Sequence, residues 1–464
     1  MMKLTLIGGG GVRAPLFVAA TLRRAQLIGL TELCLMDLDE EKLHLIGPIC
    51  RYLARTVDGA VRITTTTDPR LALAGARYVV TTIRVGGDMG RILDERIALQ
   101  HGVLGQETTG PGGFAMAMRS IPAILDYAGL LEQVSPDAWL FNFTNPAGLV
   151  TQALRDSGFS RTIGICDGAN VAQHGLAAWL KVKPRQLRAE VFGLNHLSWT
   201  RRVLLNGEDV LSTFLSKPEA MAGTMMRIFD PELVHMLGMW LNEYLYYYYY
   251  SEQAVKSIQS DDKTRGEEIL ELNHRLVEQL RSIDLEQNPQ AALEAYYATQ
   301  RRRNATYMHY ARPDAPTMAE ADRAVTAMTE PAFAGSEADE GYAGVALDII
   351  EAFETGDPLY IALNVPNEGA ISCMQAADVV EVSCVVDRNG VRPLPMGAIP
   401  EHQELLMRAV KQYERLAVEA ILNRSRSTAV LALMNHPLVL SYSRATALVE
   451  AYLAAHRAYI GNWR

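Results

Sequence analysis

Two groups of residues in this chain are of types and spacings that can do chemistry. Near the start, the apolar run Leu4 to Ile7 breaks into Gly8-Gly9-Gly10-Gly11, followed by Arg13 and a helical pattern. A glycine at position 8 permits a tight turn after a strand, and one at position 10 lets backbone approach a pyrophosphate at a helix N-terminus. The third glycine of that dinucleotide pattern is replaced by Arg13, so the motif reads GxGxxR. Asp37 ends the next apolar run, Leu33 to Met36, where a carboxylate can accept hydrogen bonds from a ribose diol; this favours NAD over NADP. The plain alternative is a glycine turn that only tightens a βα unit.

Cys166 follows Ile163-Gly164-Ile165, with Asp167 beside it, and His196 stands thirty residues further on. A thiolate with an imidazole can hold a divalent metal, and the same pair can act as nucleophile and base. The spacing fits no zinc-finger pattern. Singly, a cysteine is most often a small buried hydrophobe and a histidine a satisfied core or surface residue.

The elements that must position these groups alternate. Apolar runs at Leu4 to Ile7, Leu33 to Met36, Val61 to Thr65, Tyr78 to Ile83, Ala138 to Phe143 and Thr162 to Ile165 are interleaved with helical patterns. That rhythm predicts a doubly wound, Rossmann-like parallel sheet. Beyond about residue 195 the rhythm changes. A β-rich stretch from His196 to Leu205 ends in an Asn206-Gly207 turn signal. Long helical patterns cover about Pro231 to Leu280, another helix Tyr342 to Phe353, strands Tyr360 to Asn364 and Val379 to Val385, and closing helices Ile399 to His456. The expected architecture is α/β: a Rossmann-like domain over residues 1–195, then an interleaved α+β domain over 196–464 that carries substrate, metal and oligomer contacts.

Composition narrows the class. The chain of 464 residues is 49% hydrophobic and 21% charged, with 35 glycines and 20 prolines, which excludes a disordered chain, a collagen-like repeat and a small disulfide scaffold. Against 53 acidic residues stand 44 basic ones, a net charge of −9 that gives no electrostatic case for nucleic acid or anionic membrane as a partner. The run Arg301-Arg302-Arg303 reads as a solvated patch. Five cysteines without a CxxC pair fit a reducing compartment. Cys34, Cys50, Cys373 and Cys384 read as structural, as do His309 and His436. The N-terminus lacks the pattern of a signal peptide, and no run reaches the roughly 18 uninterrupted apolar residues of a membrane span, so a cytoplasmic protein is expected.

The segments IGGGGVRAP, MDLDEEK, IRVGGDMGRILDE, HGVLGQETTGPGGFAMAMRSIP, FNFTNPAG, GICDG, FGLNHLSW, EYLYYY, DDKTRGEE, VPNEGAI and VVEVSC occur in an order that resembles glycoside hydrolase family 4, the NAD- and divalent-metal-dependent glycosidases. The resemblance spans nearly the whole chain and is nearest to the 6-phospho-β-glucosidases. It implies Cys166 and His196 as ligands of a divalent ion, usually Mn²⁺, Tyr244 as catalytic base, and Asp167 as general acid. It implies Asn145 and Asn195 as holders of sugar hydroxyls. Arg91 and Arg265, with help from Arg84, would grip the 6-phosphate of a phosphorylated disaccharide or glycoside, since a dianionic phosphoryl group favours guanidinium partners. A homodimer or homotetramer is also implied.

The implied reaction departs from two-carboxylate hydrolysis. The sugar is oxidised at C3 by NAD⁺, the metal acidifies the C2 proton, a base removes it and the aglycone leaves from C1. Water then adds and the hydride returns to C3. A tyrosine with an ordinary pKa of about 10 needs a nearby cation to serve as that base. Cys166-Asp167-Gly168 is nearer to the 6-phospho-α-glucosidases, whereas the surrounding segments are nearer to the β enzymes; a 6-phospho-α-glucosidase stays open as the alternative. A lactate- or malate-type dehydrogenase would share the first lobe, but no aspartate evidently pairs with His101 or His174. A catalytically idle NAD sensor need not keep Cys166, His196, Tyr244, Asn145 and Arg265 together.

Overall fold

The computed structural model describes residues 2–57, 59–312, 315–326 and 341–464, the side chain of Tyr342 excepted. Thirteen strands among them form two sheets. Six parallel strands carry the first: β1 (Met2–Ile7), β2 (Leu30–Met36), β3 (Arg62–Thr66), β4 (Tyr78–Thr81), β5 (Trp139–Asn142) and β6 (Thr162–Gly164). Their spatial order is β3-β2-β1-β4-β5-β6, all pairs parallel, which is the Rossmann order with its switch point between β1 and β4. The strands are apolar runs because helices cover both faces: Leu4, Leu6 and Ile7 of β1 and Leu33 and Leu35 of β2 have no exposed surface.

The chain's last third completes this sheet. β11 (Leu359–Pro366) lies antiparallel beside β6, and β12 (Val379–Asp387) and β13 (Gly390–Pro393) continue outward. The interleaving expected from sequence is therefore physical: late strands cover what would be the open edge at β6. The second sheet is antiparallel and small, made by β7 (Leu187–Leu194), β8 (Leu197–Leu205), β9 (Glu208–Asp209) and β10 (Trp240–Leu241). Asn206 and Gly207 both adopt positive φ between β8 and β9, as the turn signal required.

The long helical patterns expected over about Pro231 to Leu280 form several helices with a short strand between them. Gly238 takes a left-handed conformation and stops Pro231–Leu237, and Trp240 and Leu241 pair with β8 as β10. The chain resumes as Ser251–Ser260 and then Arg265–Ser282, the latter opened by a capping box in which Thr264 and Glu267 satisfy each other's backbone N–H. Periodicity ran through these breaks because each fragment keeps an apolar face. Helix Pro111–Val134, among the described residues, is long and apolar enough to cross a membrane by length and composition; two-thirds of its apolar window is buried inside the fold.

Candidate active site

One cavity of about 1570 Å³ opens at the C-terminal ends of the parallel strands, where sites of doubly wound sheets gather. Its volume exceeds the usual 300–1,000 Å³ of a single small-ligand pocket. Arg13, Arg91, Asn145, Cys166, Asp167, His196, Tyr244 and Arg265 all line it. Gly8, Gly10, Asp37, Arg84 and Asn195 do not.

The glycine turn lies at the switch point. Gly8 has φ +93°, and a Cβ there would stand 2.5 Å from the Thr82 carbonyl oxygen, so only glycine fits. Gly10 N–H donates to Asp37 Oδ2 at 3.1 Å, and Asp39 N–H donates to Oδ1. Helix Ala14–Ile28 follows with no side-chain cap and no acid in its first turn, leaving its N-terminal dipole available to an anion. Arg13 reaches into the cavity, its guanidinium 5.6 Å from the centre of the Phe143 ring.

Cys166 leaves the end of β6, and His196 is presented by the hairpin between β7 and β8. Leu194 pairs with Leu197, so Asn195-His196 is a two-residue turn, and His196 carries φ +63°. The left-handed region favours glycine, but histidine enters it more readily than most side chains. His196 Nε2 lies 3.6 Å from Cys166 Sγ, and Nδ1 lies 3.0 Å from Thr108 Oγ1. The Tyr244 ring stacks on the imidazole with centroids 3.7 Å apart, and Tyr307 donates its hydroxyl to that of Tyr244 at 3.4 Å.

Electrostatics at this cluster are lopsided. Burial, then Glu381, Asp167 and Glu243, push the Cys166 thiol well up. Burial, with Asp167 and Glu381 nearby, lifts Glu243 to about 7. Tyr244 is likewise pushed well above 10, chiefly by burial, with Glu243, Glu107 and Cys166 adding to it. Burial holds His196 neutral, down to about 4. Burial is the largest cause of each shift; the carboxylates add to it at Cys166, Glu243 and Tyr244, whereas at His196 Glu107 opposes it. Among the described residues no set of three or more His, Cys, Asp or Glu side chains is arranged to hold a metal; Cys166 and His196 are two donors, leaving further positions open. Their 3.6 Å separation suits two ligands of one ion at about 2.3 Å to sulfur and about 2.1 Å to nitrogen.

Beside this cluster the lining carries arginines. Arg91 pairs with Glu95 at 2.7 Å and with Glu107 at 3.1 Å, and Arg84 reaches the same Glu107 at 2.5 Å. Arg84 thus acts behind the wall, through Glu107. Arg265, the first residue of its helix, bonds Glu268, Thr306 and the Arg303 carbonyl. Arg303 corrects the reading of the arginine run as solvated: its side chain lines the cavity, and burial plus repulsion from Arg13, Arg91 and Arg265 drive its pKa well down, with Glu107 opposing. A run of three arginines carries no sequence signal for which one turns inward; helix Pro289–Ala305 decides it.

Asn195 is not brought to the cavity wall. Its Oδ1 accepts from Gly148 N–H at 3.4 Å, and its Nδ2 donates to Glu381 Oε1 at 3.1 Å. Glu381, fully buried on β12, also accepts from Ser198 and Asn364, and Ser198 accepts from Asn242, whose Oδ1 accepts the Tyr244 N–H. This network ties the His196 hairpin to Tyr244 from below. Cys34, Cys50 and Cys384 are buried, Cys373 partly so, and all are free thiols.

The chain matches the model for the family 4 glycosyl hydrolases over residues 3–182 and that for the family 4 glycosyl hydrolase C-terminal domain over residues 191–439. It is 30% identical to a probable 6-phospho-beta-glucosidase of Bacillus subtilis, covering 99% of this chain and 97% of that one. It is 28% identical to 6-phospho-alpha-glucosidase 1 of Lacticaseibacillus paracasei, over 98% of both. The 6-phospho-beta glucosidase of Thermotoga maritima, solved with manganese, NAD⁺ and glucose-6-phosphate, superposes with a TM-score of 0.82 at 27% identity and 99% coverage of both chains. Both halves of the chain and the site between them thus lead to one assignment: the chain belongs to glycosyl hydrolase family 4.

Proposed function

We propose that this chain is an NAD- and divalent-metal-dependent glycosidase that hydrolyses 6-phospho-β-glucosides by oxidation at C3, proton loss at C2, departure of the aglycone from C1, addition of water and re-reduction. The observation that carries the reading is one cavity that sets the Cys166–His196–Tyr244 cluster against a wall of arginines. When bound, NAD⁺ supplies a reversible hydride acceptor and a divalent ion, manganese in the Thermotoga relative, supplies a Lewis acid.

The chain's own residues take the remaining roles. Gly8 and Gly10 give the pyrophosphate a close backbone approach, Arg13 adds a cation beside it, and Asp37 faces the ribose. Cys166 and His196 hold the ion; the surplus of negative charge around them, and the neutral imidazole, suit a divalent cation. Tyr244 takes the C2 proton once that negative charge is offset, because its surroundings otherwise keep the phenol protonated. Asp167, exposed beside Cys166, protonates the departing oxygen. Asn145 orients the sugar hydroxyls, and Arg91, Arg265 and Arg303 receive the 6-phosphate, with Arg84 steering Glu107 behind them. Asn195 serves the site by bracing the His196 turn on Glu381. We also infer a cytoplasmic homodimer or homotetramer, for which light scattering of the purified protein is the test.

Asp167 gives the α-anomer reading its one specific support, and the relatives include enzymes named for each anomer. The deciding assay is release of p-nitrophenol from its 6-phospho-β-D-glucoside and from the α anomer, with NAD⁺, Mn²⁺ and a thiol, each omitted in turn. Release from the β anomer alone, lost without NAD⁺ or metal, is the expected result. Release from the α anomer alone would make Asp167 the residue that sets specificity. Turnover of unphosphorylated glucosides alone would remove the arginine wall from phosphate recognition.

A further inference from the structure

An imidazole can offer a metal only the nitrogen that lacks a proton, so which tautomer His196 adopts decides whether Cys166 has a partner. We propose that Thr108 and Gln106 are positioning residues that lock His196 as the Nδ1–H tautomer and so aim the Nε2 lone pair at the space beside Cys166 Sγ, where a divalent cation binds. The inference rests on the metal-dependent reading above and adds residues outside the ligand pair.

Backbone N–H groups can only donate. The side-chain oxygen of Gln106 lies 2.7 Å from Thr108 N and 2.6 Å from Thr109 N. Two backbone N–H groups converge on that atom, so it is the carbonyl oxygen and not the amide nitrogen. A carbonyl oxygen can only accept. Thr108 Oγ1 lies within reach of two acceptors, that oxygen at 3.1 Å and His196 Nδ1 at 3.0 Å, and has one proton to give. In the proposed relay that proton goes to Gln106, Thr108 presents a lone pair to His196 Nδ1, and the ring proton sits on Nδ1. Nε2 is left bare, 3.6 Å from Cys166 Sγ.

The relay is also rigid. Gln106, Thr108 and His196 are each buried to 9% exposure or less, so water cannot readily replace a lost partner. The loop carrying Gln106 and Thr108 is pressed against the start of helix Pro111–Val134: a Cβ at Gly112 would meet the backbone carbonyl oxygen of Gln106 at 2.1 Å. The turn at Asn195-His196 fixes the ring's root, Tyr244 covers its face, and Thr108 fixes its edge. Removing the edge contact leaves ring position largely intact and frees the tautomer.

The test uses the full-length, metal-free wild type and two variants: Thr108→Val, which keeps the shape without the hydroxyl, and Thr108→Ser, which keeps the hydroxyl. Mn²⁺ alone is titrated by calorimetry, and ¹⁵N-histidine correlation spectra of the metal-free protein report which ring nitrogen carries the proton. NAD⁺ binding, within twofold of wild type, verifies the fold of each variant. Wild type is expected to show protonated Nδ1 and bare Nε2 at His196. Thr108→Val is expected to mix the tautomers and weaken Mn²⁺ binding about 10–100-fold, with Thr108→Ser returning to within about threefold. A wild-type ring protonated at Nε2, or Mn²⁺ binding by Thr108→Val within twofold of wild type, overturns the relay alone. Wild type that takes up no Mn²⁺ overturns the metal reading and the proposal with it.

Discussion

The ring of Tyr244 lies flat on the imidazole of His196, centroids 3.7 Å apart and planes 2° from parallel. The stack couples the residue proposed to remove a proton to a residue proposed to hold the metal. It places the phenol beside the imidazole face, so charge accepted at the Cys166–His196 pair acts on the Tyr244 hydroxyl at short range. Tyr307 supports the same hydroxyl, and its hydrogen bond favours the phenolate.

Tyr244→Phe separates stacking from proton transfer, since phenylalanine keeps the ring on His196. Removing a general base costs typically 10²–10⁴-fold. The expected outcome is a fall in kcat on the 6-phospho-β-glucoside by about that factor, with Mn²⁺ affinity within threefold of wild type. A variant that keeps more than a tenth of wild-type kcat would take the base role away from Tyr244.

Arg303 is held among Arg13, Arg91 and Arg265, an arrangement that costs the free protein and is relieved by a dianion. Hydrogen bonds to charged groups contribute about 1.5–3 kcal/mol, so Arg303→Met should lower kcat/KM for the phosphorylated substrate by roughly 10–100-fold, mainly through KM. The same change should raise the melting temperature of the substrate-free protein or leave it unchanged. Unaltered KM would place the phosphate elsewhere on the wall.

Much of the site was legible because it depends on local chemistry. The glycine turn, Asp37 after the second strand and Cys166 after the sixth are readable, since each sits at a strand's C-terminal end, and strand ends are set by short apolar runs. His196 was legible as a residue type; its positive φ was not, because a turn's conformation depends on β7, which the sequence pattern left unmarked. Arg303 and Glu381 were hidden for a different reason. Each acts across the fold, Arg303 beside Arg91 and Glu381 beneath Asn195, and such contacts leave no periodicity. The break at Gly238 is masked in the sequence because apolar spacing continues on both sides of it.

The loop that leads to Arg91 is braced by a buried charge network. Arg119 donates both terminal nitrogens to Asp94, at 2.8 and 2.7 Å, and its Nε to the Val85 carbonyl, while His456 reaches Asp94 at 2.7 Å. All three side chains are essentially unexposed, so removing the carboxylate strands the guanidinium in the interior. Breaking such a pair costs about 3–5 kcal/mol. Asp94→Asn should show that loss in urea unfolding, and the double change Asp94→Leu with Arg119→Met should lose less than the sum of the two single changes. A loss below about 1 kcal/mol for Asp94→Asn would mean that water or His456 compensates fully.

His436 makes the stability of the protein depend on mildly acid pH. It is buried between Tyr248 and Tyr413, its Nδ1 accepts the Leu438 N–H at 3.1 Å, and burial lowers it to about 3. Protonation would destroy that acceptor as well as charge the ring. In the unfolded chain the same histidine titrates near 6.5. Between these values the unfolded state binds the proton and the folded state does not, so stability falls as pH drops below 6.5 and rises with pH across the window. A drop on the order of 2 kcal/mol between pH 7 and pH 4.5 is expected from this residue. His436→Asn offers an amide oxygen to Leu438 and does not titrate, so urea unfolding of the metal-free variant should give a shallower slope over that range. An equal slope in variant and wild type would show that His436 is already protonated in the folded protein or is rehydrated there.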